Sequence, residues 1–252
     1  MAAVLDREAF ARDGFSVIRR AVPEPLLSAL DGAVRRVQAT VSGLPPSLLA
    51  RLTFERDLPE AHRGGIAAAE VGDAIFILGD PVAFDDVFWS VLREPAIGGA
   101  VRDAVGVPEV VAHFMNVTIK HPRFGRRIGW HRDFPNRYAC PATPSFVRVM
   151  LCLDGMTEEG GATTFLPGSH LIDDAAARAH PRPEEAQLHE AVPVLCDPGD
   201  LVVIHPKVLH GGGMNASGRA RRNIVLQAGD AAALLDVVPE QEEVAGHRLG
   251  PA

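Results

Sequence analysis

The second half of the chain is a series of short apolar or alternating segments separated by turn sequences. The segments are 110–120, 126–133, 146–153, 162–166, 192–196, 201–205, 208–210 and 221–228. The turns between them include Asp154-Gly155, Pro167-Gly168 and Asp197-Pro198-Gly199-Asp200. Strands at this spacing predict an antiparallel barrel or a double-sheet jelly roll.

The first 107 residues are predicted to be largely helical. We expect Asp6 to cap a first helix that ends near Gly14, and the alternating Phe15–Ile18 to form a short strand. Apolar residues at helical spacing predict a second helix from about 23 to 38, and a further helix is expected from about 82 to 105. We therefore predict one domain over residues 1–252, with a helical part at about 1–107 outside a β core at about 108–230.

Charge and cysteine content restrict the partners and the compartment. The formal charge of −7, without a basic cluster of domain size, disfavours nucleic acid as the main partner and leaves a small molecule as the expected one. Three cysteines without a CxxC pair predict a reduced, cytoplasmic setting, and no leader segment is evident. No apolar run approaches the ~18 residues of a membrane helix, so we expect no membrane association. No feature of the sequence predicts an oligomeric state.

A histidine and a carboxylate lie two residues apart at the end of one predicted strand. Residues i and i+2 of an extended backbone point to the same side, so His131 and Asp133 can face one point while Arg132 points away. His210, at the end of another predicted strand, would add a second imidazole. Two histidines and one carboxylate on one face of a metal ion are the ligands of non-haem Fe(II) oxygenases. We therefore predict a metal site at these three residues.

Arg221, at the start of the last predicted strand, is the expected partner of a 2-oxoglutarate co-substrate. Its guanidinium can bind a carboxylate bidentately and stays charged at any relevant pH. The alternation also places Asn223 on the same face. In the strand before the metal pair, Asn116, Thr118 and Lys120 form a polar face, which is either exposed to solvent or lines a polar cavity.

Several motifs, in this order along most of the chain, resemble the phytanoyl-CoA dioxygenase family of Fe(II)/2-oxoglutarate oxygenases. They are Phe10-Ala-Arg-Asp-Gly-Phe15, Ile119-Lys-His-Pro122, Gly129-Trp-His-Arg-Asp133, Gly160-Gly161 leading to Leu166-Pro-Gly-Ser-His170, Asp197-Pro-Gly-Asp200, and His210-Gly-Gly-Gly213 with Asn215. The family places its carboxylate-binding arginine eleven residues beyond the distal histidine, and that position is Arg221.

The resemblance implies a mainly β fold with flanking helices and a double-stranded β-helix (jelly-roll, cupin-like) core. The ligands that it implies are His131, Asp133 and His210 for the metal, and Arg221 with Lys120 and Thr118 for 2-oxoglutarate. The expected cofactors are Fe(II), 2-oxoglutarate and O₂. The expected reaction is hydroxylation of an unactivated C–H of a small molecule, such as an amino acid or a secondary metabolite, with release of succinate and CO₂.

Two positions modify this expectation. Many relatives have a serine two residues after the distal histidine, whereas this chain has Gly212, so a hydroxyl that could hold the co-substrate is missing. Asp133 is present, whereas the related iron halogenases lack this carboxylate, and hydroxylation is therefore favoured over halogenation.

The loop after the metal pair is the expected substrate contact. It contains Phe134, Arg137 and Tyr138, and an arginine there suits a carboxylate- or phosphate-bearing substrate unless it is simply solvated. His205 and His170 are expected to be structural, since the first precedes a strand break and the second lies in a turn.

Two other functions are compatible with the sequence. One is a non-catalytic, ligand-binding jelly roll that kept the fold. The other is a metal hydrolase or isomerase with zinc at the same three ligands, which would leave Arg221 and the polar strand unexplained. Formation of succinate distinguishes the oxygenase from both.

Overall fold

Two antiparallel sheets form the centre of the computed structural model, which describes residues 4–238 and 242–250. The strands are β1 (Phe15–Ile18), β2 (Leu52–Phe54), β3 (Ile75–Gly79), β4 (Val110–Lys120), β5 (Ile128–His131), β6 (Cys140–Pro141), β7 (Phe146–Cys152), β8 (Thr163–Phe165), β9 (Val192–Pro193), β10 (Leu201–Ile204), β11 (His210–Gly212), β12 (Arg221–Asp230) and β13 (Leu235–Val237). The larger sheet has the order β1-β10-β7-β12-β4-β3-β2 and the smaller sheet β5-β11-β8-β9, while β13 and β6 form a separate pair.

Most helices of the described residues lie in the first part of the chain. They are α1 (Arg7–Asp13), α2 (Glu24–Thr40), α3 (Pro46–Leu49), α4 (Ala68–Val71), α5 (Trp89–Arg93), α6 (Pro95–Val105) and α7 (Asp174–Ala179). Short 3₁₀ turns occupy Val41–Gly43, Glu55–Asp57, Glu60–Arg63, Pro81–Ala83, Asp86–Phe88 and Glu185–Glu190. No helix in the described part of the chain is long and apolar enough to cross a membrane.

The first helix begins and ends at the residues that the sequence predicts. The Asp6 side chain accepts a hydrogen bond from the backbone N–H of Ala9 at 3.0 Å, and Gly14 ends the helix with a φ of 82°. This left-handed conformation is readily adopted by glycine. In α2, Leu30, Val34 and their apolar neighbours are buried against the larger sheet.

The two faces of the larger sheet have different environments. Strand alternation directs Ile224 and Leu226 of β12 into the main core with α2 and α6, whereas Arg221 and Asn223 line a cavity on the opposite side. A second apolar cluster, which includes Phe165, packs between the two sheets beside that cavity. Helices therefore cover one face of the larger sheet, and the other face is available to form a site.

The mainly β fold with flanking helices and a jelly-roll core is confirmed. β2 and β3, which extend the larger sheet beyond β4, were not predicted from the sequence. The expected helix at 82–105 is a succession of short turns followed by α5 and α6, which are separated by Glu94.

Candidate metal and co-substrate site

Two neighbouring strands of the smaller sheet bring the three predicted metal ligands together. His131 at the end of β5 is the register partner of His210, which begins β11 rather than ending a strand. Asp133 follows β5 by two residues. One ligand atom from each of the three residues lies within 4.8 Å of the other two. The three side chains can therefore bind one metal ion.

Both imidazoles are oriented by backbone carbonyl groups. His131 Nδ1 lies 2.9 Å from the carbonyl oxygen of Gly129, and His210 Nδ1 lies 3.1 Å from that of Val208. A ring nitrogen that donates to a carbonyl leaves Nε2 as the metal-binding atom. Burial lowers the pKa of His210 to about 4, so its ring is neutral near pH 7.

Asp133 is a buried carboxylate whose oxygens have no hydrogen-bond partner among the described residues. Its oxygens lie 3.5 Å from Nε2 of His131 and 3.7 Å from Nε2 of His210. Arg148 Nη1 is 2.6 Å from Oδ1 but outside hydrogen-bond geometry. Burial favours the neutral acid, yet the positive charge of Arg148 and the adjacent histidines hold the pKa of Asp133 below its usual range. An ionised, unsatisfied carboxylate beside two Nε2 atoms fits a metal cation.

A cavity of about 450 Å³ extends from the metal ligands along the larger sheet. Its lining includes His131, His210, Arg148, Thr118 and Arg221. This volume falls within the ~300–1,000 Å³ typical of small-molecule sites. The polar face of β4 that the sequence left undecided therefore lines a cavity at Asn116 and Thr118.

Arg221 is a buried cation without a carboxylate partner in the described part of the chain. Its Nη1 lies 3.1 Å from Sδ of Met156 and 3.5 Å from Oγ1 of Thr163, and its Nε has no partner. Burial lowers its pKa to about 10, which still leaves it charged near pH 7. Because an unpaired buried charge is costly, this arginine fits a ligand carboxylate such as one end of 2-oxoglutarate.

Lys120 and Thr118 lie differently with respect to the cavity. Thr118 is among the lining residues, whereas Lys120 is fully buried and donates to the carbonyl oxygens of Gly161 and Gly213. A Cβ built at Gly212 would lie 3.2 Å from Lys120 Nζ. The glycine at the position where many relatives have serine thus leaves space for the lysine ammonium group.

The three predicted substrate contacts are not brought together. Tyr138 is exposed and lines the cavity, and its ring centroid lies 6.0 Å from that of Phe114 in an edge-on arrangement. Phe134 is fully buried in a small apolar cluster with Phe146, and Arg137 is exposed. Neither of these two is among the cavity-lining residues.

A hydrogen-bond network that the sequence analysis missed holds the loop after Asp133. Asn136 Nδ2 donates to the Asp133 carbonyl at 3.0 Å and to Gln227 Oε1 at 3.2 Å. Gln227 Nε2 in turn lies 3.1 Å from Nδ1 of the buried His113. The Asp133 loop is thereby tied to β12 and β4. The signal in the sequence for this network was Asn136, which lies three residues after the predicted metal ligand Asp133.

His170 and His205 form a separate pair under α1. Their ring centroids are 4.8 Å apart, and His170 Nε2 lies 3.2 Å from the Ala11 carbonyl oxygen. Neither belongs to the metal-ligand group, as the sequence analysis expected.

A jelly roll with this ligand set and a buried arginine nearby is typical of Fe(II)/2-oxoglutarate-type oxygenases. The sequence profile described as Phytanoyl-CoA dioxygenase (PhyH) matches residues 10–223. The chain belongs to the phytanoyl-CoA dioxygenase family. The predicted Fe(II), 2-oxoglutarate and O₂ are the cofactors of this class of oxygenase.

Individual relatives agree with this assignment. The dioxygenase trt7 of Aspergillus terreus is 26% identical over 221 residues, which cover 76% of this chain and 75% of that protein. The L-proline trans-4-hydroxylase of Streptomyces griseoviridis is 27% identical over 164 residues, or 55% of this chain and 61% of that protein. The crystal structure of EctD from S. alaskensis with bound Fe shares the fold, with a TM-score of 0.74 at 20% identity over 100% of this chain and 86% of that one.

Proposed function

We propose that this protein is an Fe(II)- and 2-oxoglutarate-dependent hydroxylase that acts on an unactivated C–H of a small molecule. The observation that supports this most strongly is Asp133, whose buried oxygens have no hydrogen-bond partner among the described residues and lie beside Nε2 of His131 and His210. The hydroxylase relative acting on L-proline makes an amino acid or another small metabolite a reasonable substrate class.

His131, Asp133 and His210 would hold the metal. The carbonyl contacts keep each imidazole in the orientation that binds through Nε2, and Asp133 supplies one negative charge. Bound iron with 2-oxoglutarate and O₂ supplies the oxidation that converts a substrate C–H into an alcohol while succinate and CO₂ are released. The contribution of the protein is to position the substrate C–H and to exclude competing reactions.

Arg221 would bind the distal carboxylate of 2-oxoglutarate, since it is a buried cation that lines the cavity. Thr118 lines the same cavity and is proposed as a hydroxyl contact. For Lys120 we propose an electrostatic contribution, because its amino group lies behind the lining and close enough to Arg221 for that positive charge to lower the pKa of Lys120. Direct contact would require Nζ to leave the Gly161 and Gly213 carbonyl groups.

On the substrate side, Tyr138 is the lining residue of the predicted loop, while Phe134 and Arg137 would contact substrate only after the loop rearranges. The proposal includes a single catalytic domain over residues 1–252, a cytoplasmic location, and no nucleic-acid or membrane partner.

Aerobic incubation with Fe(II) and 2-oxoglutarate, followed by measurement of succinate, tests the proposal. We expect slow succinate formation without substrate, faster formation when a substrate is present, and none above background in Asp133→Ala. His180→Ala, which changes an exposed histidine, is the matched control and should behave as the wild type. Equal succinate formation by wild type and Asp133→Ala would exclude the proposed function.

A further inference from the structure

Arg148 is a cation at the metal end of the cavity that neither metal binding nor 2-oxoglutarate binding accounts for. It lies on β7 within Phe146–Cys152, where Val147 and Val149 point into the main core and Arg148 and Met150 line the cavity. Strand alternation thus places one arginine among apolar residues on the side of the site. A guanidinium is charged at any relevant pH.

The contacts of Arg148 leave donor groups unused. Nη1 lies 2.6 Å from Oδ1 of Asp133, the central carbon of the guanidinium is 5.2 Å from the Phe114 ring centroid, and Nε is buried without a hydrogen-bond partner among the described residues. Because a buried unpaired donor is unfavourable, a ligand that accepts a hydrogen bond from this side chain would be favoured.

The charges of the loaded site do not balance without a further anion. Fe(II) and Arg221 together carry three positive charges. Asp133 and the two carboxylates of 2-oxoglutarate together carry three negative charges, which balance them. The guanidinium of Arg148 then remains as an uncompensated positive charge. In a site of low dielectric, such a charge favours a ligand that brings one negative charge.

The other ionisable groups of the cavity do not supply that charge. Arg51 forms ion pairs with Asp80 and with Glu243, the latter at 3.7 Å, and neither of these carboxylates is among the cavity-lining residues. Burial and the nearby Asp80 raise the pKa of Glu242 to about 7, so this carboxyl group is only partly ionised near neutral pH. Glu242 in its neutral form leaves the excess charge of Arg148 in place.

The cavity lining near Arg148 also indicates the polarity of the part of the ligand that does not carry the negative charge. Phe114 lies beneath the guanidinium, Tyr138 packs edge-on against Phe114, and Phe76, Ile77 and Ile128 add further apolar surface to the same cavity. These side chains suit an apolar or aromatic body rather than a sugar or a polar peptide.

We propose that Arg148 is the substrate-binding residue for a carboxylate, and that the substrate is a small carboxylic acid with an apolar body. This inference rests on the proposed function. Because the arginine also lies next to a metal ligand, the carboxylate is held close to the metal, and oxidation takes place at a carbon near the acid group.

Calorimetric titration of the anaerobic Fe(II)–2-oxoglutarate protein tests the inference. The probes are benzoate, phenylacetate, 3-phenylpropanoate and hexanoate, each paired with its neutral amide, and the phosphonate analogue of phenylacetate. We expect at least one acid to bind roughly tenfold or more tightly than its amide, since hydrogen bonds to charged groups contribute ~1.5–3 kcal/mol. Arg148→Gln should abolish this preference, and Arg148→Lys should keep part of it.

Arg178→Gln is the matched control, because Arg178 also stacks on a phenylalanine ring, that of Phe134 at 4.5 Å, but is exposed and outside the cavity lining. It should keep the wild-type preference. The inference is overturned if no acid binds more tightly than its amide, if the preference persists in Arg148→Gln, or if only the phosphonate binds.

The affinities for iron and for 2-oxoglutarate, measured on the same proteins, show which part of the argument fails. If Arg148 serves only to hold Asp133, Arg148→Gln loses affinity for iron and 2-oxoglutarate while the ratio of acid to amide affinity is unchanged. If the wild type does not bind 2-oxoglutarate at all, the proposed function fails and the inference fails with it. Binding of 2-oxoglutarate without any preference for acids removes the inference alone.

Discussion

At the scale of single residues, the site contains buried charged side chains whose hydrogen-bonding groups the rest of the protein does not fully satisfy. Arg221 has no carboxylate partner and Asp133 no hydrogen-bond donor among the described residues, although both are buried. Such groups lower the stability of a protein unless a ligand compensates them. Their positions therefore support the proposed ligand sites and the sign of charge proposed for each ligand.

Arg221→Ala should weaken 2-oxoglutarate binding by roughly 10- to 100-fold, the effect of losing one charge-assisted contact. Iron binding should be retained, because Arg221 is not one of the three grouped ligands. Calorimetry with the metal-loaded, oxygen-free protein measures both. The control is Arg219→Ala, which removes an exposed arginine two residues away. An unchanged affinity for 2-oxoglutarate in Arg221→Ala would contradict the assignment.

Asp133→Ala and His210→Ala should each reduce iron affinity by at least about tenfold and abolish succinate formation, since either change removes one of the three proposed ligands. Iron content after equilibrium dialysis provides the measurement, and circular dichroism shows whether the fold is intact. Full iron occupancy in folded Asp133→Ala would show that the metal binds elsewhere.

At the scale of elements, close backbone contacts between loops fix the co-substrate end of the site. Gly161, between β7 and β8, has a φ of 66°, and a Cβ there would overlap the Gly213 carbonyl and lie 2.8 Å from that of Met214. The Gly213 carbonyl also accepts a hydrogen bond from Lys120. The loop before β8 and the loop after β11 can thus approach each other only through a glycine.

Gly161→Ala should lower the free energy of unfolding by about 2 kcal/mol or more, because it combines an unfavourable φ with a backbone overlap. Gly65→Ala is the matched control, since its φ is 80° but a Cβ there meets nothing within 4 Å. It should lose only about 1 kcal/mol. Urea titration of both variants gives the comparison, and equal losses would show that the contact with Gly213 is unimportant.

The sequence predicted the elements in which alternation or helical spacing is clear. On β12, the shared face of Arg221 and Asn223 followed from strand alternation, because the two residues are two positions apart. β2 and β3 were missed because they are short and lie in a segment of mixed composition, and their strand state depends on the pairing of β3 with β4 and of β2 with β3. Arg148 was missed because one arginine in an apolar run gives no indication of which cavity it faces.

At the scale of the whole molecule, buried charges accumulate on one side of the site. Glu55, Arg63 and Lys120 are fully buried, and Arg126 Nη1 lies 3.5 Å from Glu55 Oε2. Burial, followed by the positive charge of Arg221, lowers the pKa of Lys120 to about 6, with Glu55 acting in the opposite direction. The fold therefore disfavours the charged lysine while the co-substrate is absent.

This shift predicts a pH dependence of stability. Between pH 6 and the ordinary lysine pKa of 10.5, the unfolded chain holds the Lys120 proton and the folded protein does not. The free energy of unfolding should therefore rise with pH across this window. In Lys120→Met the rise between about pH 7 and 10 should be smaller than in the wild type. Denaturant titrations at several pH values without 2-oxoglutarate measure the difference, and parallel curves would contradict the account.

The most direct test of co-substrate chelation is an anaerobic titration of the Fe(II)-loaded protein with 2-oxoglutarate, followed in the visible range. The account predicts a weak, saturable charge-transfer band, which requires much higher 2-oxoglutarate concentrations in Arg221→Ala. With iron confirmed as bound, the absence of any band would contradict chelation of 2-oxoglutarate and exclude the proposed chemistry.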